Sequence, residues 1–169
     1  MSENNPANQP PQYQGGNAPE QSAPAAPAPA SVSKGVKLIY AGVALAIILN
    51  IIIFVVSPSP EASAENPNTA RAGGILGLIF TIIIYGLGAF MGSLAGKGKN
   101  WARIVSTVFA GIATLNVLAA IAGLFLFEDT LLLVLAVLNL LSSLIYVVGN
   151  ILLWTGGANQ WYALQKRAY

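Results

Sequence analysis

Few residues in this 169-residue chain have types and spacings that suggest chemistry. Four carboxylates flank its apolar stretches: Glu61, Glu65, Glu128 and Asp129. Glu128 and Asp129 are adjacent, but acid–base or metal work at that pair would need further ligands. Asp129 also precedes Thr130 and a long apolar run. There its carboxylate fits a helix N-cap, where negative charge is favoured. The other group is Asn139, Ser142, Ser143, Tyr146, Gly149 and Asn150, at offsets of 0, 3, 4, 7, 10 and 11. On a helix these fall on one face, a polar stripe that either binds neighbouring helices or lines a path between them.

Much chemistry is excluded outright. The chain has no cysteine, so disulfides, thiolate nucleophiles, Cys-ligated zinc and iron–sulfur clusters cannot form. It has no histidine, which removes the commonest metal ligand and the usual general base near neutral pH. Catalysis would have to rest on Ser, Tyr, Asn or loop carboxylates. No catalytic residue, metal site or cofactor is therefore expected. The net charge of +2 gives no footing for nucleic-acid binding.

The elements that must position the stripe follow from composition. Hydrophobic residues make up 55% of the chain and charged residues only 8%, where a globular domain carries roughly 25% charge. All charged residues fall outside four apolar runs, 38–56, 73–95, 104–127 and 131–154. Each run is long enough to cross a hydrocarbon core. None contains an Asp, Glu, Lys or Arg, so a carboxylate proton relay inside the membrane is excluded. The expected fold is all-α: a polytopic membrane protein of four antiparallel transmembrane helices. Residues 36–156 form that domain and 157–169 a cytoplasmic juxtamembrane tail.

Charge asymmetry sets the orientation. Lys34 and Lys37 precede the first span, Lys97, Lys99 and Arg103 lie between the second and third, and Lys166 and Arg167 follow the fourth. Only Arg71 falls on the other side, which places both termini in the cytoplasm. Trp101 and Trp154 stand at cytoplasmic span edges, where indole rings favour the headgroup zone. These residues, with Trp161, are the expected membrane anchors against anionic headgroups. The last residues, Ala158 to Tyr169, allow either a short interfacial helix with Trp161, Leu164 and Ala168 on its apolar side, or a frayed tail.

Residues 1–35 are rich in Pro, Ala, Gln and Asn, cannot bury enough apolar surface to fold, and are expected to be disordered. The stretch Ala23-Pro24-Ala25-Ala26-Pro27-Ala28-Pro29-Ala30 favours polyproline II, as a solvated spacer or as a ligand for an aromatic groove. The extreme N-terminus lacks the charged-then-apolar start of a secretory signal. Lys34, Lys37, the first run and Ala62-Ser63-Ala64 do imitate a late signal with an A-x-A site. The run's length and the long polar region before it favour retention as a span.

The connections restrict the bundle further. Glu128, Asp129 and Thr130 alone join spans three and four, which makes them neighbours. Gly96-Lys97-Gly98-Lys99-Asn100 joins two and three, with Asn100 suited to a helix cap. The loop 57–72 contains Pro58, Pro60 and Pro67 and is too short for a domain. Gly156-Gly157 should end the fourth helix.

Inside the bilayer, small residues and hydrogen bonds mark where helices touch. Gly88, Gly92 and Gly96 form a four-residue repeat on span two and are the expected closest helix contact. Span one offers Gly42, Ala46 and Asn50 on one face. Span three offers Ser106, Ala110, Ala113, Asn116, Ala120 and Gly123. Asn50, Asn116 and Asn139 lie at depths that allow one polar layer.

The Pro11-Gln12-Tyr13 tail, the loop Gly98-Lys99-Asn100-Trp101-Ala102-Arg103-Ile104-Val105, and Leu152-Leu153-Trp154 followed by Asn159-Gln160-Trp161-Tyr162 carry a resemblance. Together they resemble a group of small four-span actinobacterial membrane proteins. The resemblance implies a cytoplasmic-membrane location and no activity. Two functions then stand as expectations. The first is a non-enzymatic accessory or scaffold subunit packed against another membrane protein or its own copies. The second is a small channel or transporter using Asn50, Asn116, Asn139, Ser143 and Asn150.

Overall fold

A computed structural model describes residues 27–56, 67–124 and 129–167. The expectations for the loop 57–66 and for the N-terminal tail before residue 27 lie outside the described residues. So do those for the side chains of Asn116, Ala120, Gly123, Lys166 and Arg167. The described chain is all-helical, with α1 at Ala30–Val56, α2 at Pro67–Gly96, α3 at Asn100–Gly123, α4 at Thr130–Leu152 and α5 at Ala158–Arg167. No strand occurs among the described residues. Three stretches, Ala30–Val56, Arg71–Gly96 and Thr130–Leu152, are long and apolar enough to cross a membrane.

Each of the four long helices starts before its apolar run. α1 starts at Ala30, inside the segment 1–35 expected to be disordered. The cause is packing beyond the apolar run: Val32 is fully buried, and the Ser31 hydroxyl donates to the Thr155 carbonyl at 2.8 Å. α2 starts at Pro67 rather than residue 73. Proline is well suited to a first helical position, where its missing N–H has no partner to lose. α4 stops at Leu152, two residues before the end of its apolar run. Hydropathy marks what enters hydrocarbon, whereas a helix continues until its backbone is capped.

The caps are local chemistry. The Asp129 carboxylate accepts the Leu132 N–H at 2.9 Å, the expected N-cap of α4. After α2 the Lys99 N–H reaches the Leu94 carbonyl at 3.1 Å and the Gly98 N–H reaches Ala95 at 2.9 Å. That is a Schellman closure, and Gly98 takes the left-handed φ of 83° that it requires. The Lys99 carbonyl accepts the first helical N–H of α3, so the cap falls on Lys99 and Asn100 is already helical. Gly156 and Gly157, at φ 58° and 82°, reverse the chain between α4 and α5.

Around the bundle, α1 packs on α2 and α4, and α3 packs on α2 and α4, with α1 against α4 the most extensive contact. On that interface Gly35 meets Gly149, Gly42 meets Ser142 and Tyr146, and Asn50 meets Asn139. Between α1 and α2, Val36 meets Gly96, Ile39 meets Gly92 and Phe54 meets Gly74. The core runs from Val43, Ala110 and Tyr146 down to Ile39, Ala95 and Leu153, and ends on Trp161 and Tyr162 of α5. The outer faces are apolar and open; Leu76, Phe80, Leu115 and Leu118 are each at least 60% exposed.

Candidate functional site

The polar stripe of α4 forms two nodes inside the bundle. At the first, the Asn50 Nδ2 donates to the Ala46 carbonyl at 2.8 Å and to the Asn139 Oδ1 at 3.4 Å. The Ser142 hydroxyl donates to the Asn139 carbonyl at 2.6 Å, and Ser143 does the same at 3.2 Å. At the second, Ser106 donates to the Asn150 Oδ1 at 2.5 Å while the Asn150 Nδ2 donates to the Tyr146 carbonyl at 3.0 Å. Asn50 and Asn139 thus meet as one layer, and Asn150 pairs with α3. These bonds meet the need of polar groups away from water for internal partners.

Tyr146 stands between the nodes and differs from them. The residue is 8% exposed, yet its hydroxyl has no hydrogen-bond partner. Ser106 and Asn150 are the polar side chains nearest to it. Tyr146 is also one of the residues lining a cavity of about 410 Å³ to which all four long helices contribute. Gly42 and Ala46 wall it on α1, Tyr85 and Gly88 on α2, Phe109 and Ala113 on α3, and Ser142 and Ser143 on α4. Tyr85 faces Asn50 across the α1–α2 side of the bundle.

The glycine repeat of α2 faces inward. A Cβ at Gly92 would stand 2.8 Å from Ile39, one at Gly96 3.1 Å from Val36, and one at Gly88 3.0 Å from the Tyr146 hydroxyl. All three meet side chains. The tightest approach of backbone to backbone lies elsewhere, between α1 and α4. There a Cβ at Gly35 would stand 2.7 Å from the Gly149 carbonyl, and one at Gly42 2.8 Å from the Tyr146 nitrogen. Ala46 and Ala110 are buried as packing residues. Gly35 was missed in the sequence and Gly149 was placed only in the polar stripe. The readable signal is the seven-residue spacing of Gly35–Gly42 on α1 and Ser142–Gly149 on α4.

The other end of the bundle holds a second cluster. The Arg103 guanidinium is sandwiched between two rings, its Cζ 3.6 Å from the Trp154 centroid and 4.4 Å from that of Tyr162. Its Nη1 donates to the Asn159 Oδ1 at 2.9 Å and to the Leu153 carbonyl at 3.4 Å. The Trp154 indole N–H donates to Thr107 at 2.8 Å, and the Tyr162 hydroxyl to the Ala95 carbonyl at 2.9 Å. Burial pushes the Tyr162 phenol up to about 12, against a smaller opposing pull from Arg103.

This cluster corrects the reading of α5 and two of the anchors. Arg103 is 5% exposed and Trp161 7% exposed, so both are interior groups. The buried face of α5 is Ala158, Trp161, Tyr162 and Gln165, while Leu164 points away and is exposed. The left-handed Gly156-Gly157 reversal turns that face onto the bundle end, and Gln165 seats against Gly98. Lys34, Lys37, Lys97 and Trp101 are exposed as an anchor requires, Trp154 is partly so, and Lys99 is half-buried. Among the described residues no group of three His, Cys, Asp or Glu is placed to hold a metal ion. No protein-family model, curated protein or solved structure matches this chain.

Proposed function

We propose that the chain is a non-enzymatic, four-span protein of the plasma membrane that serves as an accessory or scaffold subunit. α3 is the fourth span: it is 24 residues long, about 36 Å at 1.5 Å per residue, and carries no charge beyond Arg103. The contact pairs between neighbouring helices join rising numbers on one to falling numbers on the next, which supports an antiparallel bundle. Lys34, Lys37, Lys97, Lys99 and Arg103 gather at the end capped by α5, which supports a cytoplasmic location for that end and for both termini. The resemblance to small actinobacterial four-span proteins points to the same membrane.

The observation that carries the subunit role is how the polar groups are used. Asn50, Asn139, Ser142, Ser143, Ser106 and Asn150 hydrogen-bond within the bundle, while the large apolar side chains of α2 and α3 face outward. The bundle's polar stripe binds its own helices and its outer faces remain for lipid, another membrane protein or a second copy. A mild-detergent pull-down of the tagged chain, with stoichiometry read by mass spectrometry, tests the role. One near-stoichiometric partner is expected. Recovery of a lone, defined oligomer would remove the accessory reading. Flux through reconstituted vesicles that falls with Asn139→Leu or Asn150→Leu would favour the channel instead.

A further inference from the structure

We infer that the cavity between the four long helices seats one acyl chain of a bilayer phospholipid, which enters sideways between α2 and α3 from the leaflet on the α5 side. The inference rests on the reading that these helices lie in a membrane and is independent of the subunit role. Four observations carry it.

The first is the size of the space, about 410 Å³. Protein interiors are close-packed, and an unfilled space of this size forfeits contacts worth a large part of a fold's stability. Engineered apolar cavities of roughly 150 Å³ already take up benzene or xenon. An occupant therefore stabilises the bundle.

The second is the lining, which makes no polar demand on that occupant. None of the lining residues is charged, and Val43, Ala46, Ile84, Phe109 and Ala113 supply walls of hydrocarbon. The hydroxyls of the α4 wall are taken up by the protein. Ser142 and Ser143 donate to the Asn139 carbonyl, and the Tyr146 hydroxyl is buried beside Ser106 and Asn150, neither of which lines the cavity. On α2, Tyr85 faces Asn50. That leaves Thr81, a single hydroxyl where an ordered water needs several polar partners.

The third is access and shape. The lining residues from α1 and from α4 are buried or half-buried, whereas Phe80 of α2 is 65% exposed and Ile112 of α3 is 51% exposed. The mouth therefore opens between α2 and α3, toward hydrocarbon. On α2 the lining runs from Phe80 to Gly88, roughly 12 Å along the axis. The mean cross-section is then roughly 35 Å², far too narrow for a helix of about 10–12 Å diameter. A flexible chain fits where a partner helix does not.

The fourth is depth. On α4 the lining falls at Ser142 to Tyr146, which lie roughly 9–15 Å along the helix from its end at Leu152. A hydrocarbon core of about 30 Å gives each leaflet about half of that. With the α5 end at the headgroups, the cavity lies at the acyl-chain level of the adjoining leaflet. The polar head of the lipid stays at the surface and its chain alone reaches the cavity.

The test uses the full chain in phosphatidylcholine vesicles that contain a phosphatidylcholine with a diazirine midway along one acyl chain. After illumination, adducts are mapped by mass spectrometry. Bulk lipid reaches Leu76 and Leu115, which are 65% and 67% exposed. Val43 and Ala46 are buried and line the cavity, so a chain inside it is what reaches them. Adducts are expected at all four positions. Ala113→Leu, which fills the cavity from α3, should lower those at Val43 and Ala46 at least fivefold and leave Leu76 and Leu115 unchanged. Thr81→Leu fills it from α2, should do the same, and decides the matter if the first variant misfolds. Adducts at Leu76 and Leu115 with none at Val43 or Ala46 would overturn the proposal. So would inner adducts that neither filling variant lowers. Inner adducts from a diazirine fatty acid and none from the phospholipid would also overturn it, giving the cavity to a single-chain lipid. Loss of adducts at all four positions would overturn the membrane reading and the site with it, so the two failures are told apart by Leu76 and Leu115.

Discussion

The Gly149 carbonyl lies 2.7 Å from the point where a Cβ on Gly35 would stand, and the Gly35 carbonyl lies 2.8 Å from the corresponding point on Gly149. The two helices meet backbone to backbone, with no side chain able to yield. Lipid is as apolar as leucine, so such close van der Waals contact is a main source of helix association in a bilayer. Gly149→Ala should therefore cost about 1–3 kcal/mol through forced separation of α1 and α4. Gly111 has open space around its Cα. Gly111→Ala should be neutral or stabilising by up to about 1 kcal/mol, because it removes glycine's excess chain entropy. Thermal melts of the two variants in one detergent make the comparison.

The same contact shows what was legible in the sequence. The stripes of small residues were readable, because spacing by three, four and seven defines a helix face. Which stripe makes the tightest contact was not. Gly88-x-x-x-Gly92-x-x-x-Gly96 is the more conspicuous pattern, yet it meets the side chains of Ile39, Val36 and Tyr146. The closest approach depends on what the partner helix presents at that level, and a single stripe does not carry that information. The all-helical class and the Asp129 cap were readable, the first from composition and the second because a cap is local. The fold-back of α5 was only half readable: Gly156-Gly157 announced a turn but not its direction, and the stripe of Ala158, Trp161, Tyr162 and Gln165 gained its partner from that direction.

Arg103 makes α5 part of the fold. Its guanidinium is held between Trp154 and Tyr162 and bonds Asn159. A lysine has neither the planar face to stack on two rings nor the fork to keep that bond. Arg103→Lys should destabilise the protein by about 1–2 kcal/mol, from the lost cation–π contacts and hydrogen bond. α5 should loosen first, seen as faster proteolysis between residues 153 and 165 and a red shift in tryptophan emission. An unchanged cleavage rate would show that Arg103 does not hold α5.

Tyr162 gives the fold an alkaline limit. Its phenol titrates near 12 when folded, because burial disfavours the anion, against about 10 when free. Below pH 10 both states keep the proton and its contribution is fully present. Between pH 10 and 12 the unfolded chain loses its proton first, so stability falls as pH rises through the window. The total loss is about 2–3 kcal/mol at the upper end. Tyr162→Phe should melt at lower temperature at pH 8, having lost the bond to Ala95, and should lose less of its remaining stability between pH 10 and 12. Melts across that range decide it, and parallel curves for the two proteins would remove Tyr162 as the cause.

Tyr146→Phe should move the other way. The hydroxyl satisfies nothing inside the bundle, so its removal takes away a desolvated, unpartnered group. Stability should hold or rise by up to about 1 kcal/mol. Ser106→Ala, which strips Asn150 of its α3 partner, should cost roughly 0.6–2 kcal/mol. A loss from Tyr146→Phe as large as that from Ser106→Ala would mean the phenol does have a partner within the fold.

The most direct test of the central claim, a four-span bundle with its α5 end in the cytoplasm, exploits the absence of cysteine from the chain. Lys34→Cys, Lys97→Cys and Thr130→Cys are made singly at exposed positions. Intact cells are then treated with a membrane-impermeant maleimide. Four spans predict labelling at position 130 alone, with positions 34 and 97 reacting only after the membrane is opened. Protection of position 130 alongside 97 would mean that α3 does not cross the membrane, and would contradict the account.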